Sequence, residues 1–237
     1  LSWPREVEKL FGRNPKLAVQ DVSRAVSKAL KSASFNNNIR LLDTNWKIVY
    51  LGKDLAASQI PEYLRMACHP GWMTPPTNIY IAAEKIATNC NTGSLSPEKA
   101  NISMLETLAH EMGHVVEAAI LGNGLSQDRQ RAEGFATWFE VYVAKYSSLI
   151  SDESLKRRIF SYAKEYMKRN NSFDGSAGAY GYASLDFFAI VDRRGVAGLM
   201  DVYNKMQNSG VSFSTAYSEV TGWSDNKIQK ERERVLN

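Results

Sequence analysis

The sequence predicts an α+β fold for this chain of 237 residues, with a small N-terminal sheet followed by a mainly helical C-terminal lobe. Two short segments, 46–51 and 77–82, are rich in aromatic and β-branched residues and are bounded by turn formers, which is typical of strands. Apolar residues recur at helical spacing between Ile102 and Ile120, and helical patterns dominate again after Asp152. The length allows one domain with a full core, which we divide into closely packed lobes at 1–122 and 123–237.

The remaining elements follow from the same spacing of apolar side chains. The pattern is helical over 2–34, before the first strand. The C-terminal lobe is expected to contain helices over 156–168, 184–192 and 196–206, and a charged, solvated helix over 225–235. We expect the loop 170–178 to be the most mobile segment and to overhang a cleft.

The long helix after the second strand has clear start and stop signals. Ser96 is a good N-cap, and Pro97 suits the first helical position. Gly122 and Gly124 supply a stop. The helix therefore has a defined length, and its middle is held against the core by its apolar face.

The middle of this helix contains an H-E-x-x-H motif, His110-Glu111-Met112-Gly113-His114. Positions four apart lie on one face of a helix, so both imidazoles can bind one ion. Neutral imidazole is a good Zn²⁺ ligand. Glu111 directly follows the first histidine, where it can take a proton from a metal-bound water. The motif favours a zinc-dependent hydrolase.

A catalytic zinc site needs a third protein ligand. One large class uses a histidine ten residues after the first, but Ile120 occupies that position, which excludes the class. Downstream acids are the alternative. Glu133 lies nineteen positions after His114 on a second predicted helix, 127–149, and this separation leaves room for a tight turn and an antiparallel return.

Other acids compete for roles at such a site. Asp128 is a second candidate for the third ligand, although a loop acid or a helix N-cap is its commoner role. Glu140 lies about 10 Å beyond Glu133 along the helix, so both cannot bind one ion. Glu106 and Glu117 either orient an imidazole from behind or are exposed helix acids.

The two-part motif resembles the gluzincin metallopeptidases, the class that includes thermolysin. More closely, it is similar to the smaller peptidase-MA-like bacterial domains, in which an E-G-[LF]-A segment, here Glu133-Gly134-Phe135-Ala136, supplies the glutamate ligand. The likeness covers 95–138 well and 180–206 more loosely.

The resemblance implies a zincin-like fold, with a small mixed sheet packed on the active-site helix. It implies one catalytic Zn²⁺ held by His110, His114 and Glu133, and a zinc-bound water activated by Glu111 for hydrolysis of a peptide or protein substrate. In gluzincins an edge strand of the sheet can pair with an extended substrate. The segment 77–82 is the candidate edge strand, because it precedes the motif helix most closely.

Amide hydrolysis also needs a donor to the developing oxyanion. The resemblance implies a tyrosine at the start of a helix that follows a Gly/Ser-rich loop. Tyr180 fits that position best and Tyr182 next, with packing as the alternative role for both. His69 lies beside Pro70 in a predicted loop, where a histidine is usually structural or exposed.

Composition excludes several classes of function. The net charge of +4 is spread along the chain without a basic stripe, which argues against a nucleic-acid partner. No run of eighteen apolar residues is present, so no transmembrane segment is expected. Cys68 and Cys90 either form a disulfide around the second strand or remain two buried thiols. We expect a secreted or periplasmic bacterial protein; the chain starts at Leu1, which either a removed leader or a trimmed chain would explain.

Three hypotheses follow from the sequence. The leading one is an active zinc metallopeptidase of the gluzincin type. The second is a zinc-binding domain with a non-peptidolytic binding or scaffolding role, and the third is a metal-free fold with a coincidental motif. Cleavage preference and oligomeric state are left open.

Overall fold

The computed structural model describes residues 3–12, 14–32, 35, 47–52, 69–74, 77–90, 92–122, 128–169 and 172–237. It is an α+β fold in which helices predominate. The described elements, in chain order, are α1 (Glu6–Phe11), α2 (Pro15–Ser32), β1 (Lys47–Leu51), β2 (Gly71–Thr74), β3 (Asn78–Ala82), α3 (Ala83–Ala87), α4 (Pro97–Leu121), α5 (Arg129–Ala144), α6 (Asp152–Arg169), α7 (Ala177–Ser209), α8 (Phe213–Thr221) and α9 (Asp225–Leu236). None of these helices is long and apolar enough to cross a membrane.

The described strands form a small mixed sheet in the order β1-β3-β2. Strand β1 pairs with β3 in parallel, and β2 pairs with β3 in the antiparallel sense, with Trp72 opposite Tyr80. The prediction that 77–82 forms an edge strand is therefore wrong, because this segment contains β3, which lies in the centre of the sheet. Among the described strands β2 takes the edge instead. It has only four residues between flanking prolines, so its pattern is too weak to recognise from the sequence.

Helix α4 has the ends that its sequence predicts. The Ser96 side chain accepts a hydrogen bond from the Lys99 amide, and Pro97 occupies the first turn. Gly122 ends the helix in the left-handed conformation at φ 71°, a conformation that costs glycine little. Gly124 lies outside the described residues.

The C-terminal lobe is mainly helical, as predicted, but the helices divide the chain differently, and α8 was not predicted. The expected segments 184–192 and 196–206 belong to one helix, α7, which bends at Gly195 with φ 67°. The Arg194 guanidinium donates to the carbonyls of Val220 and Thr221 at 2.8 and 2.9 Å and so satisfies the last turn of α8. Helix α5 ends at Ala144, five residues before the predicted end.

The core of the molecule lies between α4, α5 and α7. Aromatic side chains of α5 and α7 form its centre, with Phe135 packed edge-to-face against both Phe187 and Tyr203. All three are buried. This rigid block supports the helix faces that carry the motif residues.

Candidate functional site

The three predicted metal ligands converge on one point. His110 Nε2 lies 3.2 Å and His114 Nε2 lies 3.5 Å from Oε2 of Glu133. One ligand atom from each residue lies within 4.8 Å of the others. Of the described residues that can bind a metal, these are the only three that cluster in this way.

A close contact between α4 and α5 places Glu133 opposite the histidines. Gly113 lies between the two histidines, and a Cβ there would be 2.8 Å from the Cα of Ala136. Gly134, directly after Glu133, approaches α7 in the same way, since a Cβ there would be 2.7 Å from the Ala183 carbonyl oxygen. Glycine thus allows α5, which carries Glu133, to lie close to α4 at Gly113 and close to α7 at Gly134.

Glu111 lies at the floor of the site with its carboxylate largely buried. Its Oε2 has no hydrogen-bond partner within the described part of the chain. Burial raises the pKa of Glu111 above its ordinary value, and the neighbouring histidines only partly oppose this. Strand β2 packs directly on it, since a Cβ at Gly71 would be 3.1 Å from Glu111 Cγ.

The ligand side chains have strongly coupled charges. Burial alone would lower the pKa of His110, but hydrogen bonds to Glu133 and Glu140 hold that pKa well above its ordinary value. Burial would raise the pKa of Glu133, but its contacts with His110 and His114 hold it well below its ordinary value. Two imidazoles and a carboxylate therefore share one small, water-poor volume.

Glu140 is a site residue that sequence reasoning placed out of reach. Its Oε2 lies 3.3 Å from Nδ1 of His110, the ring nitrogen on the side opposite the convergence point. The residue is only 9% exposed. The sequence signal was its helical spacing of seven from Glu133, which puts both glutamates on one face of α5.

Tyr180 reaches the site from the first turn of α7. Its ring stacks on His110 with centroids 6.2 Å apart, and the Phe173 ring also stacks on it at 5.9 Å. Arg129 Nη2 donates a hydrogen bond to the Tyr180 hydroxyl at 3.0 Å. Burial, reinforced by the charge of Glu133, raises the pKa of Tyr180 to about 12, so the hydroxyl keeps its proton at neutral pH.

Tyr182, the second candidate, points away from the histidines. Its hydroxyl donates to Gln229 and accepts from Arg232 at 2.9 Å, so it joins α7 to α9. Of the two tyrosines, only Tyr180 lines the cleft.

The site lies in an open cleft of about 730 Å³ between β2 and helices α4 to α7. His69, expected to be structural or exposed, is half-buried in this cleft, because β2 carries it there. Burial is the main cause that lowers its pKa, and the positive charge of Arg129 acts in the same direction. Gly175 and Ala177 also line the cleft, so the described part of the loop 170–178 borders it as predicted.

The remaining acids have other partners. Asp128 is the N-cap of α5 and accepts from the Arg131 amide at 3.0 Å, which confirms its commoner role. Glu117 is buried and binds Arg131 and the Tyr203 hydroxyl, so the prediction of an exposed or imidazole-orienting acid was wrong. Glu106 lines the cleft and forms an ion pair of 2.6 Å with Arg158.

Comparison of the chain with family models, with curated proteins and with solved structures finds no match. A functional assignment must therefore come from the residues and their geometry. Cys90 is disulfide-bonded. Cys68, the one other cysteine of the sequence, lies outside the described residues.

Proposed function

We propose that this chain is a zinc-dependent metallopeptidase with a zincin-like fold of the gluzincin type. The observation that carries the proposal is the convergence of His110, His114 and Glu133 on one point, with Glu111 beside them. A coincidental motif would not require a carboxylate from a second helix to meet both imidazoles.

The donor set fits a catalytic zinc ion. Two imidazole nitrogens and one carboxylate oxygen form a typical three-ligand site that leaves a fourth position free. The unpartnered, buried Oε2 of Glu111 is a second sign of fit, because a buried carboxylate oxygen without a donor is costly unless another group uses it. His110, His114 and Glu133 would hold the ion.

The chain's own residues supply the proton transfers. When bound, zinc polarises a carbonyl and makes water a better nucleophile at neutral pH. Glu111 would accept the proton of the attacking water and return it to the amine of the leaving product. Its burial supports this role, because a raised pKa brings a carboxylate closer to the optimum for a general base.

Tyr180 would stabilise the transition state. Arg129 donates to its hydroxyl oxygen, so the hydroxyl can itself donate, and Glu133 is its acceptor within the site. The two ring stacks hold the side chain in place. A hydrogen bond from this hydroxyl to the carbonyl oxygen would strengthen as negative charge develops there.

Strand β2 is the part of the cleft best suited to an extended peptide. Gly71, Trp72 and Met73 line the cleft, and within the described residues β2 pairs on one side only, with β3. A peptide added to such an edge is bound by main-chain hydrogen bonds with little regard for its side chains. The edge-strand role expected for 77–82 is therefore proposed for β2.

We also propose that the protein is secreted or periplasmic. The disulfide at Cys90 supports this location, because disulfides persist mainly in oxidising compartments.

The proposal is tested by zinc content per chain and by turnover of a peptide library. Wild type and the control Glu153→Ala, which alters an exposed acid at the start of α6, should each hold about one zinc, as expected for one three-ligand site. Glu133→Ala should hold much less. Glu111→Gln should keep zinc and lose peptide turnover.

Two outcomes contradict the proposal in different ways. Wild-type protein that takes up no zinc even after reloading would exclude the metal site. Wild-type protein that holds zinc but cleaves no library member would favour the non-peptidolytic alternative.

A further inference from the structure

Glu140 is a largely buried acid on the face of α5 that lines the cleft. Its neighbours in sequence, Phe139 and Val141, are fully buried core residues, and the Glu140 side chain itself is 12% exposed. A buried carboxylate is costly unless it is paired and hydrogen-bonded. An apolar side chain at this position would pack without that cost, so the acid is expected to have a specific partner.

The partner is the imidazole of His110. Glu140 Oε2 lies 3.3 Å from Nδ1, while Nε2 of the same ring lies 3.2 Å from Glu133. The two glutamates therefore contact opposite nitrogens of one ring. A carboxylate can only accept from Nδ1, so this contact requires that Nδ1 carries the proton.

We infer that Glu140 is a positioning residue, which fixes the ring orientation and tautomer of His110 so that the Nε2 lone pair faces the metal. The inference rests on the proposed function. Carboxylates behind a metal-binding histidine set the ring orientation and raise the basicity of the ligand nitrogen. Thr137, one turn nearer to Glu133, lines the cleft but has no carboxylate with which to do this.

The surroundings of Glu140 leave its carboxylate available for this contact. Glu106 and Glu111 are the acids of α4 that face Glu140, and Glu106 is engaged by Arg158 of α6 at 2.6 Å. Glu133 is held by the two histidines. Arg158 pairs with Glu106 and its charge also acts on Glu140, while His110 is the hydrogen-bond partner of Glu140.

The test compares the zinc affinity of the full chain with that of Glu140→Gln and Glu140→Leu, measured by competition with a chelator. We expect the variants to bind zinc roughly 10- to 100-fold more weakly, with the larger loss in leucine, which cannot accept from Nδ1. Glu153→Ala is the control, because it removes an exposed carboxylate at the start of α6 that does not line the cleft. Its zinc affinity should equal that of wild type.

Two further readouts separate positioning from a merely structural role. The visible spectrum of the Co²⁺-loaded protein should change in Glu140→Leu and not in Glu153→Ala, because only Glu140→Leu alters the surroundings of a ligand ring. A structural role would instead lower the thermal midpoint of the metal-free variants and leave the zinc affinity of the folded protein intact. Gln is nearly isosteric with Glu, so at least this variant should fold.

The outcomes are distinguishable from those of the proposed function. If wild type binds zinc and both Glu140 variants bind it equally well, the positioning role is overturned while the metal site stands. If wild type binds no zinc, both the metal site and the role of Glu140 are overturned.

Discussion

Replacing Gly113 by alanine tests whether the close contact of α4 and α5 sets the site. The added Cβ would lie 2.8 Å from the Cα of Ala136, whereas carbon atoms prefer about 3.5 Å or more. The two helices would therefore have to separate by about 0.7 Å at this point. Overpacking of this kind costs about 1–3 kcal/mol, and the better helix propensity of alanine offsets about 1 kcal/mol of it.

The sign of the stability change is the decisive result. With the clash we expect Gly113→Ala to lower the free energy of unfolding by up to about 2 kcal/mol in urea titrations. Without a clash the same substitution would raise it by about 1 kcal/mol, through helix propensity alone. Zinc affinity should fall as well, because metal sites tolerate ligand shifts of only about 0.2 Å.

Gly93→Ala is the control, since within the described part of the chain nothing beyond its two chain neighbours lies within 4 Å of the added Cβ. It should leave the free energy of unfolding and the zinc affinity near their wild-type values. A Gly113→Ala protein more stable than wild type, with unchanged zinc affinity, would refute the reasoning.

Three further predictions follow. Tyr180→Phe keeps the ring stack on His110 and loses the hydroxyl, so kcat should fall about 10²–10³-fold with zinc content unchanged; an equal kcat would remove Tyr180 from the mechanism. Zinc at 100 times its Kd should stabilise the fold by about 2.7 kcal/mol and raise Tm by about 5–10 °C, an effect that a chelator reverses and that should be absent in Glu133→Ala. Hydrogen bonds from Arg193 and other cations lower the pKa of Glu231 to about 2, so its contribution to stability is present above about pH 4.5 and is lost as the pH falls toward 2; urea titrations at pH 6 and pH 3 should show a smaller acid-induced loss of stability for Glu231→Gln than for wild type.

The parts of the fold that depend on local signals could be predicted from the sequence. Ser96, Pro97 and Gly122 set the ends of α4 through hydrogen bonds and backbone angles within one turn. Strand order could not be predicted, because it depends on pairing between distant segments. The four residues of β2 carry little pattern of their own, yet they displace β3 from the edge of the sheet.

The same distinction applies to the site. The spacing of His110 and His114 and the return of the chain to Glu133 are regularities of helices, and the structure brings these residues together. The sequence did not predict the contact of Glu140, because helix spacing shows only that Glu140 and Glu133 cannot bind the same ion. The contact is with Nδ1 of His110, the ring nitrogen that faces away from Glu133. His69 reaches the cleft only through the tertiary position of β2, which no local pattern encodes.

Three glycines next to functional residues explain how one cleft brings three elements together. Gly113 brings α5 to the histidines, Gly134 brings α7 to Glu133, and Gly71 brings β2 to Glu111. At Gly113 and Gly134 a Cβ would lie within 2.8 Å of a backbone atom, so backbone contact sets the spacing of the helices there. At Gly71 a Cβ would lie 2.7 Å from the Thr107 side chain and 3.1 Å from that of Glu111, so side chains of α4 set the spacing. Glycine at such contacts cannot be replaced by a larger residue without moving neighbouring parts of a helix or strand. Ligand geometry and fold stability should therefore change together at these three positions, whereas at Glu111 and Tyr180 activity should change with little effect on stability.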